Sequence, residues 1–389
     1  VIRAESFSNP EVMPVTRAAR LLLALCVLAP AAVCAQNPTI CDGSTAVTLI
    51  GIDTASGQML FSIPALTGKD RPWIVELDAT GSTAHAFSDP PQGLYSGSVG
   101  PGPVVAALPC GKDCVQPVRW DKGSWTPLGE PLTTPAATNL SPAYDADGSP
   151  WLLLQGAAAQ DGLFKVWAYH LEGREWKSRG SMLVTGVGQP SALPAPQRKD
   201  GVVSGTGLFS ASGPPEGWVA GLPDVPPARR GAVVAVTATN AAYVASDGVA
   251  YLSEDGGKKW RRSTWTPWGS AEVVGNWRQG TDYWIDLPAG DHHGTLRMVW
   301  FDRRRPSEER VVLSELRPSG GVNLADVPTE VKTRSGESMP VTQVLLPKGN
   351  QWILLSGCAA TADGSGLVLR SFDGKEVSAP RFVAFKAVK

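Results

Sequence analysis

The sequence predicts an all-β fold, a single β-propeller of seven four-stranded blades, with six or eight as alternative counts. Three observations point there. The chain carries 42 glycines and 33 prolines in 389 residues, well above the roughly 12% that average chains give to these two types together. Each Gly or Pro inside a helix costs about 1 to 3 kcal/mol, so a helical bundle, a coiled coil and an α/β barrel fit poorly. Short apolar runs alternate with turn pairs such as Ser56-Gly57, Thr67-Gly68 and Thr80-Gly81, which is hairpin chemistry. A pattern also recurs at a spacing of 51: Trp125 and Gly129 correspond to Trp176 and Gly180.

The first 35 residues read as an address. Arg17 and Arg20 precede an apolar run from Leu21 to Ala35, and Val33 and Ala35 are small residues ahead of Gln36. A basic start, a short apolar stretch and a small-residue end describe a secretory signal peptide cleaved after Ala35, with Met13 as a candidate true start. The run is shorter than the roughly 20 residues a spanning helix needs. Removing 1–35 takes away three arginines and two glutamates, so the formal charge moves from −1 to −2. That balance excludes a broadly basic nucleic-acid binder. Residues 36–389 contain no second apolar run of membrane length.

Four cysteines remain after cleavage: Cys41, Cys110, Cys114 and Cys358. An even number suits an oxidising compartment. Cys110 and Cys114 suit a small local loop, which leaves Cys41 for Cys358 at the two ends of the mature chain. Four cysteines allow three pairings, and free buried thiols are another outcome. A metal site lacks a second C-x-x-C pair or a nearby His.

The blocks follow in order. Residues 46–53, 58–64, 72–78 and 83–89 form four strand-like runs. Residues 142–145, 150–155, 164–170 and 176–183 form four more. Segments 232–268, 271–316 and 340–386 behave alike, whereas 102–132 and 190–222 are less regular. About seven blocks fill 354 mature residues. One blade cannot bury both faces alone, so blades stack around an axis. A Cys41–Cys358 bond would staple the first to the last. Two β-sandwich domains are the competing architecture, but no linker or composition break divides the chain.

Ser253-Glu254-Asp255-Gly256-Gly257-Lys258-Lys259-Trp260 is the sharpest motif. Asp255 can accept N–H groups within its turn, and Trp260 supplies apolar area to hold the turn down. The octet resembles the Asp-box of sialidase-like propellers, the BNR repeat, with Ser253, Asp255, Gly257 and Trp260 at its defining positions. Ser371-Phe372-Asp373-Gly374-Lys375 resembles a degenerate second copy. The resemblance implies a propeller scaffold and a structural role for the box. It does not imply sialidase chemistry: the Arg of an F-R-I-P motif is absent from Phe61-Ser62-Ile63-Pro64, and Arg303-Arg304-Arg305 is one cluster rather than a triad on separate blades. Residues 49–61 are also similar to the blade repeat of quinoprotein-like propellers, again in scaffold alone.

Other candidates have plainer readings. His292 and His293, after Asp291, read as a polar loop, and His170 as packing. Asp145-Ala146-Asp147-Gly148 resembles the opening of a calcium loop but lacks the downstream Glu, so it reads as a turn. Asp282, Asp286 and Asp291 are candidate carboxylates for glycoside hydrolysis. No G-x-S-x-G or phosphate loop occurs. Tryptophan stands out, with 14 copies against 6 tyrosines. Trp265, Trp268, Tyr283 and Trp284, with Arg261 and Arg262 beside them, are the candidate ligand contacts, since aromatics stack on sugars or anchor peptides and Arg pairs with anions.

The expectation is an exported, periplasmic or secreted, non-catalytic propeller. It is expected to be monomeric, without cofactor, metal, nucleic acid or stable membrane span. Its partner would be an envelope protein or a carbohydrate. A sialidase-like glycoside hydrolase is the alternative.

Overall fold

The computed structural model describes residues 39–388 except 67–71, 89, 92–97, 136, 138, 146, 159–162, 185–196, 199–200, 205–206, 211–215, 218–231, 237–240, 245–249, 256–258, 264, 267–268, 271–282, 291–295, 303–309, 318–319, 328–329, 333–337, 341, 349–350, 363 and 374. The predicted signal segment 1–35 lies outside them. The described residues hold strands and turns and no helix.

These strands group into seven antiparallel four-stranded units: 48–88, 105–133, 139–184, 197–217, 232–262, 283–327 and 343–388. Each unit overlaps one predicted block, but the bounds differ: the sixth unit closes with Gly320–Val327, beyond the predicted 271–316. Short ribbons, Trp265–Thr266 with Gly269–Ser270 and Glu330–Lys332 with Ser338–Pro340, lie between some of them. Chain order and sheet order agree within every unit but the second. There Leu132–Thr133 returns to pair with Cys114–Asp121 instead of extending the sheet beyond Ser124–Pro127, which accounts for the irregular pattern of 102–132.

The 51-residue repeat is a pair of matching hairpins. In one, Trp120 pairs with Trp125 across a turn in which Lys122 and Gly123 have φ of 47° and 87°. In the other, Leu171 pairs with Trp176 across a turn with Gly173 at 63°. The first turn thus has two consecutive positive φ values and the second has one, at Gly173; both kinds of tight turn suit the right-handed twist of a hairpin.

Strand residues alternate faces, and both faces of the early units are apolar. On one face of the first unit, Met59, Phe61, Ile63, Val75 and Leu77 share a core with Ile353, Leu355, Leu367 and Leu369 of the seventh. On its other face, Ile50, Leu60 and Ile74 pack with Trp120 of the second and with Val104 just ahead of it. The second unit then packs Ala107, Val115 and Leu132 against Leu140, Leu152, Leu154 and Trp176 of the third. The third keeps a separate core on its far face, around Trp151, Leu153, Val166 and Ala168. Seventh, first, second and third units therefore stack face on face. Each fully buried Leu, Ile or Phe in these layers contributes about 1.5 to 3 kcal/mol.

Two bulges adjust the alternation. The register shifts between Leu49 and Gly51, so Leu49 and Ile52 reach the same core while Ile50 faces the other. A shift between Leu355 and Gly357 likewise brings Cys358 into line with Leu355. Cys358 meets Cys41 there, and the two form a disulfide with Cα atoms 6.0 Å apart.

The seam has a second closure. Strand Arg381–Val388 of the seventh unit runs parallel to Ala84–Ser88 of the first, with Phe385 opposite Ala84 and Val388 opposite Phe87. The two units thereby merge into one nine-stranded sheet, completed by Ser98–Gly100 on Thr48–Asp53. Stacking alone would leave both edges with unpaired N–H and C=O groups; pairing them removes two exposed edges at once. Arg381 ties the seam down by donating to the Thr80 carbonyl and to Ser82 Oγ.

Candidate functional site

The Asp-box turn shows what its residues do. Asp255 Oδ1 accepts the Ser253 hydroxyl at 2.8 Å and the Lys259 N–H at 2.9 Å. Ser253 is buried and Trp260 half-buried; Gly257 lies outside the described residues. The same device recurs. Asp53 accepts the Ala55 N–H and the Ser56 hydroxyl. Asp78 accepts the N–H groups of Thr80 and Ser82. Asp373, in the degenerate copy, accepts those of Lys375 and Glu376. Burial works to raise the Asp78 carboxyl, but the Ser82 N–H and the Thr80 hydroxyl outweigh it and hold it below the usual value.

Asp145 is the most deeply placed of the series, at 2% exposure. Its Oδ1 accepts the Asp147 and Ser149 N–H groups at 3.0 and 2.9 Å, and its Oδ2 accepts the Trp151 indole N–H at 3.1 Å. The calcium-like text is thus a turn whose carboxylate is engaged by the protein itself. Burial pushes this carboxyl up, and the hydrogen bonds and nearby His170 only partly offset that.

His170 stacks against Trp151, its cross-strand partner, at 4.7 Å between ring centroids. Neither ring nitrogen has a hydrogen-bond partner, while Glu172 Oε1 lies 3.8 Å from Nδ1. Arg179 forms an ion pair with that same Glu172. Burial pushes the imidazole below its usual value, with Asp145 pulling the other way. His170 therefore packs, as read from the sequence. The Glu172–Arg179 pair was not visible there, because a register shift between Trp167 and Tyr169 decides what faces what on these strands. The described residues contain no group of three or more His, Cys, Asp or Glu able to hold a metal ion.

The predicted ligand contacts sit on separate elements. Arg261 and Arg262 form the last strand of the fifth unit, opposite Leu252 and Tyr251, and both are exposed. Arg261 lies 3.6 Å from the Glu254 carboxylate. Trp265 starts the ribbon that approaches Gly320–Val327, the last strand of the sixth unit. Tyr283 and Trp284 open the first strand of that unit, at its opposite edge. Trp268, Asp282, Asp291, His292, His293 and Arg303–Arg305 lie outside the described residues, and Asp286 stands in strand Tyr283–Gly290.

A cleft of about 290 Å³ lies beside the Cys110–Cys114 hairpin. Val115, Leu140 and Leu154 provide its apolar part; Lys112, Asp113 and Asn139 provide polar groups. The Thr134 N–H bonds the Asp113 carbonyl at 2.8 Å and fastens the hairpin tip to the end of the neighbouring strand Leu132–Thr133.

No family model matches the chain, and no curated protein matches its sequence. The solved structures it is similar to include β-propellers. The six-bladed lectin from Aleuria aurantia, described with a fucose recognition mode, is 13% identical, with a TM-score of 0.41 over 89% of this chain and 98% of that one. The WD40 domain of SCAP from fission yeast is 9% identical, with a TM-score of 0.42 over 89% and 88%. The propeller domain of the Trilobed protease from Pyrococcus furiosus is 12% identical, with a TM-score of 0.37 over 86% and 84%. No residue role is carried from these proteins to this chain.

Proposed function

We propose that this chain is an exported binding protein: one seven-bladed propeller over 36–389, released from a signal peptide after Ala35 into the periplasm or medium. It acts as a monomer and binds an envelope protein or a carbohydrate. Trp265, Trp268, Tyr283, Trp284, Arg261 and Arg262 are the contacts assigned to that ligand. The observation that carries the reading is the use of the turn carboxylates. Asp53, Asp78, Asp145, Asp255 and Asp373 each hold N–H groups of their own turn. Such carboxylates stiffen a repeated scaffold, and recognition falls to side chains outside the turns. Two disulfides support an oxidising destination. No helix among the described residues is long and apolar enough to cross a membrane.

The test is a glycan array and an envelope-extract pull-down with the mature chain, run beside a fluorogenic glycoside panel. Binding that weakens in Trp265→Ala or Trp268→Ala supports the reading. Turnover of any glycoside reverses it in favour of a glycoside hydrolase.

A further inference from the structure

The two disulfides occupy opposite environments. Cys41 and Cys358 are both 0% exposed, within the core shared by the first and seventh units. Cys110 is exposed and Cys114 half-buried, at the tip of a hairpin. Only four positions separate them. The hairpin does not depend on the bridge for its register: Leu108 pairs with Gln116 and Pro109 with Val115 just below it. The Asp113 carbonyl is held independently by the Thr134 N–H. A bridge that spans so few residues removes little freedom from the unfolded chain. Exposed disulfides of this kind are the ones that exchange.

Cys114 also lines the cleft described above, together with Lys112 and Asp113. An exposed sulfur, a second sulfur on a cleft wall and a flanking ammonium are the parts of an exchange centre. We propose that Cys110–Cys114 is a thiol-exchange site, and that the adjoining cleft takes a small thiol compound bearing both an apolar stem and charged groups. Val115, Leu140 and Leu154 would meet the stem, and Lys112 and Asp113 the charges.

The step is a displacement. The incoming thiol loses its proton to solvent, and its thiolate attacks Cys110 Sγ. The bond between ligand sulfur and Cys110 forms as the Cys110–Cys114 bond breaks. The electron pair leaves on Cys114 Sγ, which then takes a proton from water. One disulfide is consumed and one is formed, so the small thiol is the only co-reactant. Lys112, two positions from each cysteine, favours the departing thiolate; the neighbouring Asp113 disfavours it.

The experiment uses the full oxidised chain with glutathione as the probe, acid quenching, alkylation and peptide mass spectrometry. A glutathione adduct on Cys110 is expected while Cys41–Cys358 remains intact, with exchange at least about tenfold faster at the exposed bridge. Lys112→Ala should slow the exchange and Asp113→Asn should speed it, opposite effects that a loosened hairpin would not produce. Cys114→Ser should accumulate the Cys110 adduct from oxidised glutathione, because no partner remains to expel it. Equal reactivity of the two disulfides overturns the proposal. So does the same rate with mercaptoethanol as with glutathione once thiolate concentrations are matched, since the cleft would then recognise nothing.

Discussion

Trp120 and Glu76 stand 44 positions apart and meet through an indole N–H donated to the carboxylate at 2.7 Å. The bond crosses from the second unit to the first. Trp120 is 3% exposed, and the rings of Phe87 and Trp125 meet it edge-on at 5.2 and 5.1 Å. Trp120→Phe keeps much of that contact and leaves the half-buried carboxylate without its donor, at an expected cost of about 1.5 to 3 kcal/mol. Trp120→Ala also opens a cavity and should cost about 3 to 5 kcal/mol. Urea unfolding of both variants measures the difference. An unchanged midpoint for the Phe variant would mean that water replaces the indole.

The disulfides should separate sharply in stability. Cys41 and Cys358 close a loop of 317 positions, Cys110 and Cys114 one of four. Loop entropy assigns about 5 to 6 kcal/mol to the long bridge and about 2 kcal/mol to the short one, as upper values. Cys41→Ala/Cys358→Ala should therefore lower the denaturant midpoint far more than Cys110→Ala/Cys114→Ala. Similar losses in the two double variants would contradict the seam as the point where the long bridge acts.

Acid should weaken the third unit through His170. Its folded pKa lies below the unfolded value of 6.5. Between the two values the unfolded chain binds the proton and the folded chain does not. Stability is therefore complete above 6.5 and falls as pH drops towards the folded pKa. His170→Phe keeps an aromatic ring against Trp151 and should flatten the fall in Tm from neutral to mildly acidic pH. A slope equal to that of the unsubstituted chain would assign the effect elsewhere.

The turn carboxylates should differ by depth. Asp255 sits on an exposed turn, and Asp255→Ala should cost about 1 kcal/mol, a typical net hydrogen-bond value. Asp145→Ala strands two N–H groups and the buried indole of Trp151, and should cost about 2 to 3 kcal/mol or more. Thermal melts of the pair give the order; a reversed order would mean that the Asp145 turn relaxes to water.

Features set by neighbouring residues were legible from sequence. Ser253 and Asp255 announce their turn because the partner N–H lies four positions away at Lys259. Cys110 and Cys114 announce theirs for the same reason, and Cys41 with Cys358 then follows by elimination and bears out. The hairpins of Trp120–Trp125 and Leu171–Trp176 were visible as a repeat because each sets a tryptophan two residues after a short turn that contains glycine. The bulges at Leu49–Gly51 and Leu355–Gly357 were not, since one extra residue alters facing without altering composition. The cleft at Cys114 was likewise invisible, because Leu140 and Leu154 reach it only through stacking of the second and third units. Nothing local relates Ala84–Ser88 to Arg381–Val388, so their parallel pairing could not be read in advance.

That last pairing has a consequence in time. A ribosome completes Ala84–Ser88 long before it reaches Arg381. At about 5 to 20 residues per second, the intervening stretch takes roughly 15 to 60 s to make. Throughout that interval the edge of the nascent first unit is open to other strands. The newborn chain is then most exposed to misassociation, and a stop codon ahead of Arg381 would make that hazard permanent.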